Sequence, residues 1–343
     1  MRLIGFKGGS DFSISWRSLG SWEEQRNEVG MRMKTSRRDF QSMATLGLAG
    51  LALQMQGWTG RANAQTRLGS RSIVSGVQFG IQPFCYHDLD MTIANRPELL
   101  RRIVQNGLGM VELHAVWCEP SFATGAVSRQ AAREMLREWR TQTPRSYYEG
   151  IRKEFNDQGV DIFGYWTGIN STYTEAEIHA TFDAAKALGC RGVTGSQGLA
   201  MSAKLIPYMK EHGIFMGLHN HDNLSDPDAL SNEASFEKGF SLSALFRATL
   251  DLRHFAAGNG DAVGFLERHH DRVSSVHVGD RRKNNGRSTP FGEGDAPIVE
   301  VLRLIRDNQW PIVALLEFEH GTLRKEVDEV NLMFDYCKRA LAS

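Results

Sequence analysis

The stretch IFMGLHNHDN, Ile214–Asn223, is an apolar run that stops abruptly at two histidines, His219 and His221. A short apolar run with polar residues at its end is typical of a buried strand. Histidines at the end of such a strand are either core residues with satisfied hydrogen bonds or parts of a metal site that is completed elsewhere in the chain. The fold around the strand decides between these two interpretations.

Seven further apolar runs alternate with amphipathic helical patterns along the chain. They begin at Val77, Gly109, Val160, Arg191, Arg247, Val273 and Pro311. Several helical patterns end in glycine just before the next run, as expected at helix C-termini. Eight strands with intervening helices predict an α/β fold, a single parallel (β/α)8 TIM barrel. The long charged span 128–155 is predicted to be one interrupted helix or a helix pair outside the barrel.

Residues 1–64 predict an export signal rather than a part of the barrel. Arg37 and Arg38 stand in a Ser-Arg-Arg-x-Phe pattern, before a short apolar stretch that begins at Met43. That stretch is shorter than the roughly 20 residues of a membrane span, and a small-x-small pattern typical of signal-peptidase sites follows it. The pattern resembles a twin-arginine signal; the alternative is an N-terminal amphipathic helix. We expect the twin-arginine translocase and signal peptidase to deliver a barrel domain, residues 65–343, to the periplasm without a stable membrane span.

The overall composition narrows the choice of partners. The formal net charge is zero, so nothing in it favours nucleic acid or an anionic membrane as a partner. The four cysteines, Cys85, Cys118, Cys190 and Cys337, are widely spaced and form no C-x-x-C motif. Scattered cysteines of this kind are more often buried small residues than disulfide partners.

The barrel prediction gives a meaning to the polar residues that end its strands. In this architecture reactive groups lie where strands end and loops begin. The strand-end acidic and imidazole residues are Glu112 and His114, His219 and His221, Asp251 and His254, His277 and Asp280, and Glu317 and Glu319. These side chains offer nitrogen and oxygen ligands, which suit manganese, cobalt, iron, nickel or zinc rather than calcium. We therefore predict a bound divalent metal ion at this rim.

The motifs GLHNHDN, LDLRH, VHVGD, GEG and LLEFEH follow in this order over the C-terminal half. They resemble the xylose-isomerase-like barrel family of sugar phosphate isomerases and epimerases, which includes inosose dehydratase and endonuclease IV. The resemblance extends over residues 80–317 as a fold and implies proton removal next to a sugar carbonyl, through an enediolate. The metal ligands that it implies are His219, Asp251, His277 and Glu317. His221 stays open as an alternative to the first of these.

One position departs from the family pattern. Epimerases of this family usually have glutamate where this chain has His219, so that two glutamates remove and return a proton on opposite substrate faces. Here Glu317 remains as a candidate base, and the second proton carrier would be His221, His254 or Glu112. A neutral imidazole can serve, since its unperturbed pKa is about 6.5, but a histidine bound to metal cannot. The departure weakens symmetrical epimerisation and leaves room for one-sided proton removal followed by elimination.

Four further residues are candidates for contact with the substrate: His114, Trp117, Trp166 and Arg281. The flat faces of the tryptophans suit a sugar ring, although aromatic residues also occur in barrel walls. His114 fits a hydrogen-bonded wall position equally well. Arg281 belongs to a basic loop that is either solvated or binds an anionic substrate.

The predicted function is that of a divalent-metal-dependent isomerase or epimerase. Sugar phosphates are scarce outside the cytoplasmic membrane, so the expected substrate is an unphosphorylated sugar or keto-sugar. A metal-dependent keto-glycoside lyase or dehydratase, working by β-elimination at the same site, is the first alternative. A non-catalytic periplasmic sugar-binding protein is the second, although such proteins generally have two lobes and no reason to gather these ligands. A nuclease would need a basic face for DNA, which the neutral composition disfavours.

Overall fold

Eight parallel strands follow the eight apolar runs of the sequence. The computed structural model describes residues 69–123 and 125–342. The barrel strands are β1 (Val77–Ile81), β2 (Met110–His114), β3 (Asp161–Trp166), β4 (Gly192–Gly195), β5 (Phe215–His219), β6 (Phe246–Asp251), β7 (Val273–Val278) and β8 (Val313–Leu316). Each pairs in parallel with the next, and β8 pairs with β1, so the sheet closes. The prediction of a single TIM barrel is confirmed.

Helices surround the barrel and connect its strands. They are α1 (Arg96–Gln105), α2 (Arg129–Gln142), α3 (Arg145–Asp157), α4 (Glu175–Ala187), α5 (Leu199–His212), α6 (Glu233–Leu242), α7 (Leu252–Ala257), α8 (Ala262–His269), α9 (Ile298–Asp307) and α10 (Glu326–Ala342). The long charged span is a helix pair, α2 and α3. Pro144 divides it, because a proline holds the preceding residue in extended backbone, here Thr143 with ψ 122°.

Short elements complete the described part of the chain. A two-residue strand, Ile73–Val74, pairs antiparallel with β1, and Asp280–Arg281 pairs antiparallel with Ser288–Thr289 in a ribbon after β7. The export signal predicted for residues 1–64 lies outside the described residues. Among the described residues, no helix combines the length and the hydrophobicity needed to cross a bilayer.

Two apolar layers support the site. The larger core contains residues of all eight barrel strands and of the surrounding helices. A second, smaller cluster consists of Met110, Phe163, Val313 and Leu315. Side chains alternate along a strand, so Met110 shares a face with Glu112, and Leu315 with Glu317. The small cluster is therefore an apolar floor beneath the polar residues of the strand ends.

Glu177 of α4 binds three arginines of α2. Its carboxylate accepts hydrogen bonds from Arg133 at 2.6 Å and 2.9 Å, from Arg137 at 3.2 Å and from Arg140 at 3.3 Å. The Glu177 side chain has no exposed surface. Burial raises its pKa, but the hydrogen bonds, led by that of Arg133, outweigh burial and bring the pKa to about 2. This ion cluster joins α2, the first helix of the outer pair, to α4.

Replacement of Glu177 by glutamine is expected to lower the free energy of unfolding by about 3 kcal/mol near neutral pH, because three guanidinium groups lose their shared counter-charge. The depressed pKa means that this stabilisation is complete above the unfolded value of about 4.5 and is lost as the pH falls towards 2. Urea unfolding should therefore show a smaller difference between wild type and variant at about pH 3 than at about pH 7. Glu134→Gln, at an exposed partner of Arg137, should change stability by less than about 1 kcal/mol. An equal Glu177→Gln effect at both pH values would contradict the ion-cluster explanation.

Candidate active site

Four side chains from four neighbouring strands converge above the apolar floor. His219 ends β5, Asp251 ends β6, His277 lies in β7 and Glu317 follows β8. One ligand atom of each lies within 4.8 Å of the others, and all four residues are buried. These are the four residues that the sequence motifs single out, and we call them the central cluster. His221, the alternative ligand, is exposed, with its ring centre 5.0 Å from that of His219.

Several polar atoms of the central cluster are buried without a hydrogen-bond partner among the described residues. They are both ring nitrogens of His219, Nδ1 of His277 and Oε2 of Glu317. The last two atoms are 2.7 Å apart but lack the alignment of a hydrogen bond. Buried polar atoms normally have partners, and one cation could bind one ring nitrogen of His219 together with Nδ1 of His277 and Oε2 of Glu317. Two imidazoles and two carboxylates fit a divalent transition metal.

The ionisation states of three of these residues also suit metal binding. Burial lowers the pKa of His219 to about 3, so its neutral ring keeps a lone pair at neutral pH. Burial works against ionisation of Asp251 and Glu317, but the nearby positive charges outweigh it. Arg253 is the main cause, and it holds the pKa of Asp251 well below the ordinary range. Arg253 and His277 together bring the pKa of Glu317 to about 2.

Glu112 lies behind His277. Its Oε2 accepts a hydrogen bond from Nε2 of His277 at 2.9 Å, and its carboxyl group is buried. Burial lowers the pKa of His277, but Glu112 and Glu317 outweigh this effect and raise it to about 10. With Nε2–H bound to Glu112, it is Nδ1 that faces Glu317 and could bind a metal in place of a proton. A carboxylate behind a histidine commonly orients it as a ligand. Glu112 is thus buried and hydrogen-bonded to His277, and its role as a proton carrier stays a prediction.

Arg253 is a site residue that the sequence analysis did not identify. Its side chain is 1 % exposed, and its Nη2 lies 2.6 Å from Oδ2 of Asp251 and 3.0 Å from Oε2 of Glu317. Its Nη1 lies 2.9 Å from Oε2 of Glu319. Gly279 leaves room for this side chain, since a Cβ there would collide with Cγ and Cδ of Arg253. A permanent positive charge therefore contacts two of the four carboxylate and imidazole groups of the central cluster.

His221 and His254 lie at the mouth of the site, and their pKa values are shifted in opposite directions. Desolvation by the surrounding atoms and the charge of His254 lower the pKa of His221, so its ring is neutral at neutral pH although the residue is still accessible to solvent. For His254, burial is outweighed by Asp251 and Asp222, and the pKa is raised. The two ring centres are 4.7 Å apart. His221 is thus a neutral imidazole at the mouth, with a lone pair that can accept a proton.

Arg281, a predicted substrate contact, is already held by neighbours. Its Nη2 lies 2.8 Å from Oδ2 of Asp222, its Nη1 lies 3.1 Å from Nδ1 of His254, and its Nε donates to the carbonyl of Gly286 at 2.7 Å. The guanidinium group therefore connects Asp222 and His254 at the mouth to the loop of the ribbon that follows β7. It is neither a fully solvated loop residue nor a free anion-binding group.

The two predicted tryptophans occupy different places. Trp166 is half-buried at the end of β3, stacks on His114 at 5.4 Å and meets the ring of His219 edge-on at 5.0 Å. Both Trp166 and His114 therefore form one wall of the site, and His114 also contacts Gln82. Trp117 is fully buried in the larger core. The chain makes a 3₁₀ turn there, and the Trp117 carbonyl accepts a hydrogen bond from Arg96 at the start of α1. The prediction that Trp117 contacts the substrate is therefore wrong, because the residue lies in the core.

A cleft of about 440 Å³ lies between the ribbon after β7 and the segment that follows β8. Its walls include the ribbon strand Ser288–Thr289, Pro290 and the segment 319–321 that follows β8. Glu319 belongs both to this wall and to the ion pair with Arg253. The ion pair of Glu319 and Arg253 therefore connects the wall of the cleft to the central cluster.

Structural comparison places this barrel among known ones. A xylose isomerase domain protein from Alicyclobacillus acidocaldarius superposes with a TM-score of 0.58 and 15% identity, over 77% of this chain and 98% of that one. A 3-keto-D-glucoside 4-epimerase from E. coli gives 0.55 and 13%, over 76% and 100%. A probable 3-DHS dehydratase from Bacillus anthracis gives 0.52 and 12%, over 74% and 98%. At these identities the likeness shows a shared fold.

Sequence comparison identifies the family. No curated protein matches the chain. The profile of a family described as xylose isomerase-like TIM barrel matches residues 100–336, which is more than half of the chain. The chain therefore belongs to the xylose isomerase-like TIM barrel family.

Proposed function

We propose that this protein is a divalent-metal-dependent enzyme that moves a proton on the carbon next to the carbonyl of an unphosphorylated sugar or keto-sugar. The reaction would be an isomerisation or epimerisation through an enediolate. The main support is the central cluster, in which buried nitrogen and oxygen atoms face one another and have no hydrogen-bond partner within residues 69–123 and 125–342. A sugar-binding protein without catalysis has no need for such a set of atoms.

The metal would be held by His219, Asp251, His277 and Glu317. When bound, a divalent metal ion supplies Lewis-acid polarisation of a carbonyl oxygen. Glu112 would keep the Nδ1 atom of His277 turned inward through the hydrogen bond at Nε2. Trp166 would limit the entry of water and offer an apolar face to the sugar ring from its position against His219.

Proton transfer would fall to two unlike groups. Glu317 is ionised at neutral pH, and His221 is neutral and exposed at the mouth. A carboxylate and an imidazole differ in basicity, so the two directions of proton transfer would not be matched. This asymmetry favours a second candidate function, β-elimination by a keto-glycoside lyase or dehydratase at the same site.

The charges at the mouth support an uncharged substrate. The two arginines that contact the central cluster and the mouth histidines, Arg253 and Arg281, are held by carboxylates. A phosphate group would have to compete with those carboxylates for either guanidinium. An unphosphorylated sugar also agrees with our proposal that the protein acts in the periplasm after twin-arginine export.

Exchange with deuterated water tests the proposed chemistry directly. Purified protein loaded with manganese, cobalt or zinc would be incubated in D2O with unphosphorylated ketoses, keto-glucosides and the corresponding sugar phosphates. We expect NMR to show deuterium next to the carbonyl of an unphosphorylated sugar, with an epimer or isomer as product. An unsaturated product would assign the reaction to elimination instead.

A variant of His221 separates proton transfer from metal binding. His221→Gln should slow the exchange by about 100-fold or more while the metal content stays that of the wild type. Sugar binding without any exchange, after loading with each metal, would refute the enzyme proposal and support the binding protein.

A further inference from the structure

A second group of metal-ligand side chains lies on the outer surface of the barrel, between α4 and α5. His179 belongs to α4, and Glu211 and His212 form the end of α5. One ligand atom of each lies within 4.8 Å of the others. The group shares no residue with the central cluster or with the mouth of the barrel. Its chemistry is therefore separate from that of the proposed reaction.

The ring nitrogens of the two histidines face each other. Nδ1 of His179 lies 3.0 Å from Nε2 of His212 and 3.7 Å from Oε1 of Glu211. Ligand atoms that share a tetrahedral zinc ion at its usual bond lengths lie about 3.3 Å apart. The observed spacing is close to this value, so a small adjustment of the two rings would admit an ion between them.

Asp183 orients one of these rings. Its Oδ1 lies 3.2 Å from Nδ1 of His212. The negative charge of Asp183 favours a hydrogen on Nδ1 of His212, and that tautomer has its lone pair on Nε2, the atom that faces His179. The arrangement of carboxylate, histidine and open ligand nitrogen is the one that supports histidines in known metal sites.

The packing around the two rings already restricts their motion. The ring of His212 lies 5.7 Å from that of Phe182 at an angle of 28°, and its side chain is 8 % exposed. The ring of His179 meets Tyr208 edge-on at 4.8 Å. His212 is also the last residue of α5, where the partial negative charge of the helix C-terminus favours a cation. Little ordering would be needed for an ion to bind.

We propose that His179, Glu211 and His212 form a second transition-metal site that joins α4 to α5. Two imidazoles and a carboxylate select zinc, copper or nickel over magnesium and calcium. Solvent would complete the coordination, because the Glu211 side chain is 65 % exposed and the His179 side chain 39 % exposed. The site would bind a second equivalent of metal that contributes to stability rather than to turnover.

Zinc titration of wild type, His179→Ala and Asp251→Asn tests this proposal. We expect about two equivalents of zinc in the wild type and about one in His179→Ala. In this variant the zinc affinity of the site at His179, Glu211 and His212 should fall by about 100-fold or more. Asp183→Asn should weaken the same site by about tenfold. Zinc should raise the melting temperature of the Asp251→Asn protein, and additional replacement of His179 should remove that increase.

A histidine outside both sites serves as the matched control. His270, which stacks on Trp310, should be replaceable by alanine without any change in zinc stoichiometry. Zinc binding that is the same in wild type and His179→Ala would overturn the proposal and leave an ordinary N–H···N hydrogen bond between the rings. If Asp251→Asn loses the zinc ion of the central cluster and keeps the one at His179, Glu211 and His212, the two sites are independent and the second site is supported.

Discussion

Replacement of Asp251 by asparagine is expected to lower the metal affinity of the central cluster by at least about 100-fold, which corresponds to about 2.7 kcal/mol, and to remove turnover with it. The Oδ1 atom of Asp251 accepts hydrogen bonds from the backbone N–H groups of Arg253 and His254 at 2.7 Å and 3.0 Å. An amide oxygen can accept the same two bonds, so the start of α7 should be kept. What is lost is the negative charge beside His219 and Arg253. Metal content after dialysis, together with manganese titration, measures the effect.

Asp222→Asn is the matched control for this experiment. Asp222 lies at the mouth, where it contacts His254 and Arg281 rather than the four central residues. Its replacement should leave the metal affinity of the central cluster within about threefold of the wild-type value. If Asp251→Asn keeps metal at the central site with wild-type affinity, the assignment of the central cluster is wrong. Circular dichroism of both variants verifies that the fold is retained.

The barrel and the polar rim of its strand ends could be predicted from local patterns, whereas the four residues of the central cluster were selected from that rim by the resemblance to the family. Eight apolar runs separated by helical patterns define the strands, and polar residues at strand ends are brought to one rim by the parallel order alone. The order of strands then requires that His219, Asp251 and His277 lie on neighbouring strands, as they do on β5, β6 and β7. No long-range information beyond the fold class is needed for this step.

The parts that were missed depend on contacts between distant segments. The environment of Arg253 requires the space left by Gly279, which follows β7. An arginine two residues after Asp251 was nevertheless visible in the sequence as a partner for nearby acids. Trp117 follows a strand, as a mouth residue would, and only the 3₁₀ turn after β2 carries it into the core. The pair of His179 and His212 depends on which faces of α4 and α5 meet, which the helical patterns alone do not specify.

Replacement of Arg253 by methionine is expected to separate stability from metal affinity. The guanidinium group contacts Asp251, Glu317 and Glu319, so its loss should cost about 3–5 kcal/mol of unfolding free energy in EDTA, where buried carboxylates remain uncompensated. A dication would no longer be opposed by a fixed positive charge within contact distance of two ligand carboxylates. The affinity for manganese should therefore rise by about tenfold or more. Methionine keeps an unbranched apolar chain beside Gly279, which limits the loss of packing.

The loss of stability in EDTA and the gain in manganese affinity have opposite signs. Both can be measured in one series of unfolding experiments, because metal binding is linked to folding. A ligand that binds only the folded state stabilises it in proportion to the logarithm of its excess over the dissociation constant. Urea unfolding with EDTA and with saturating manganese should therefore show a larger metal-induced stabilisation in Arg253→Met than in wild type. Arg281→Met, which removes a guanidinium from the mouth only, should show the wild-type increment. A smaller increment in Arg253→Met would contradict competition, and it would mean that the guanidinium holds Asp251 and Glu317 in position for the metal.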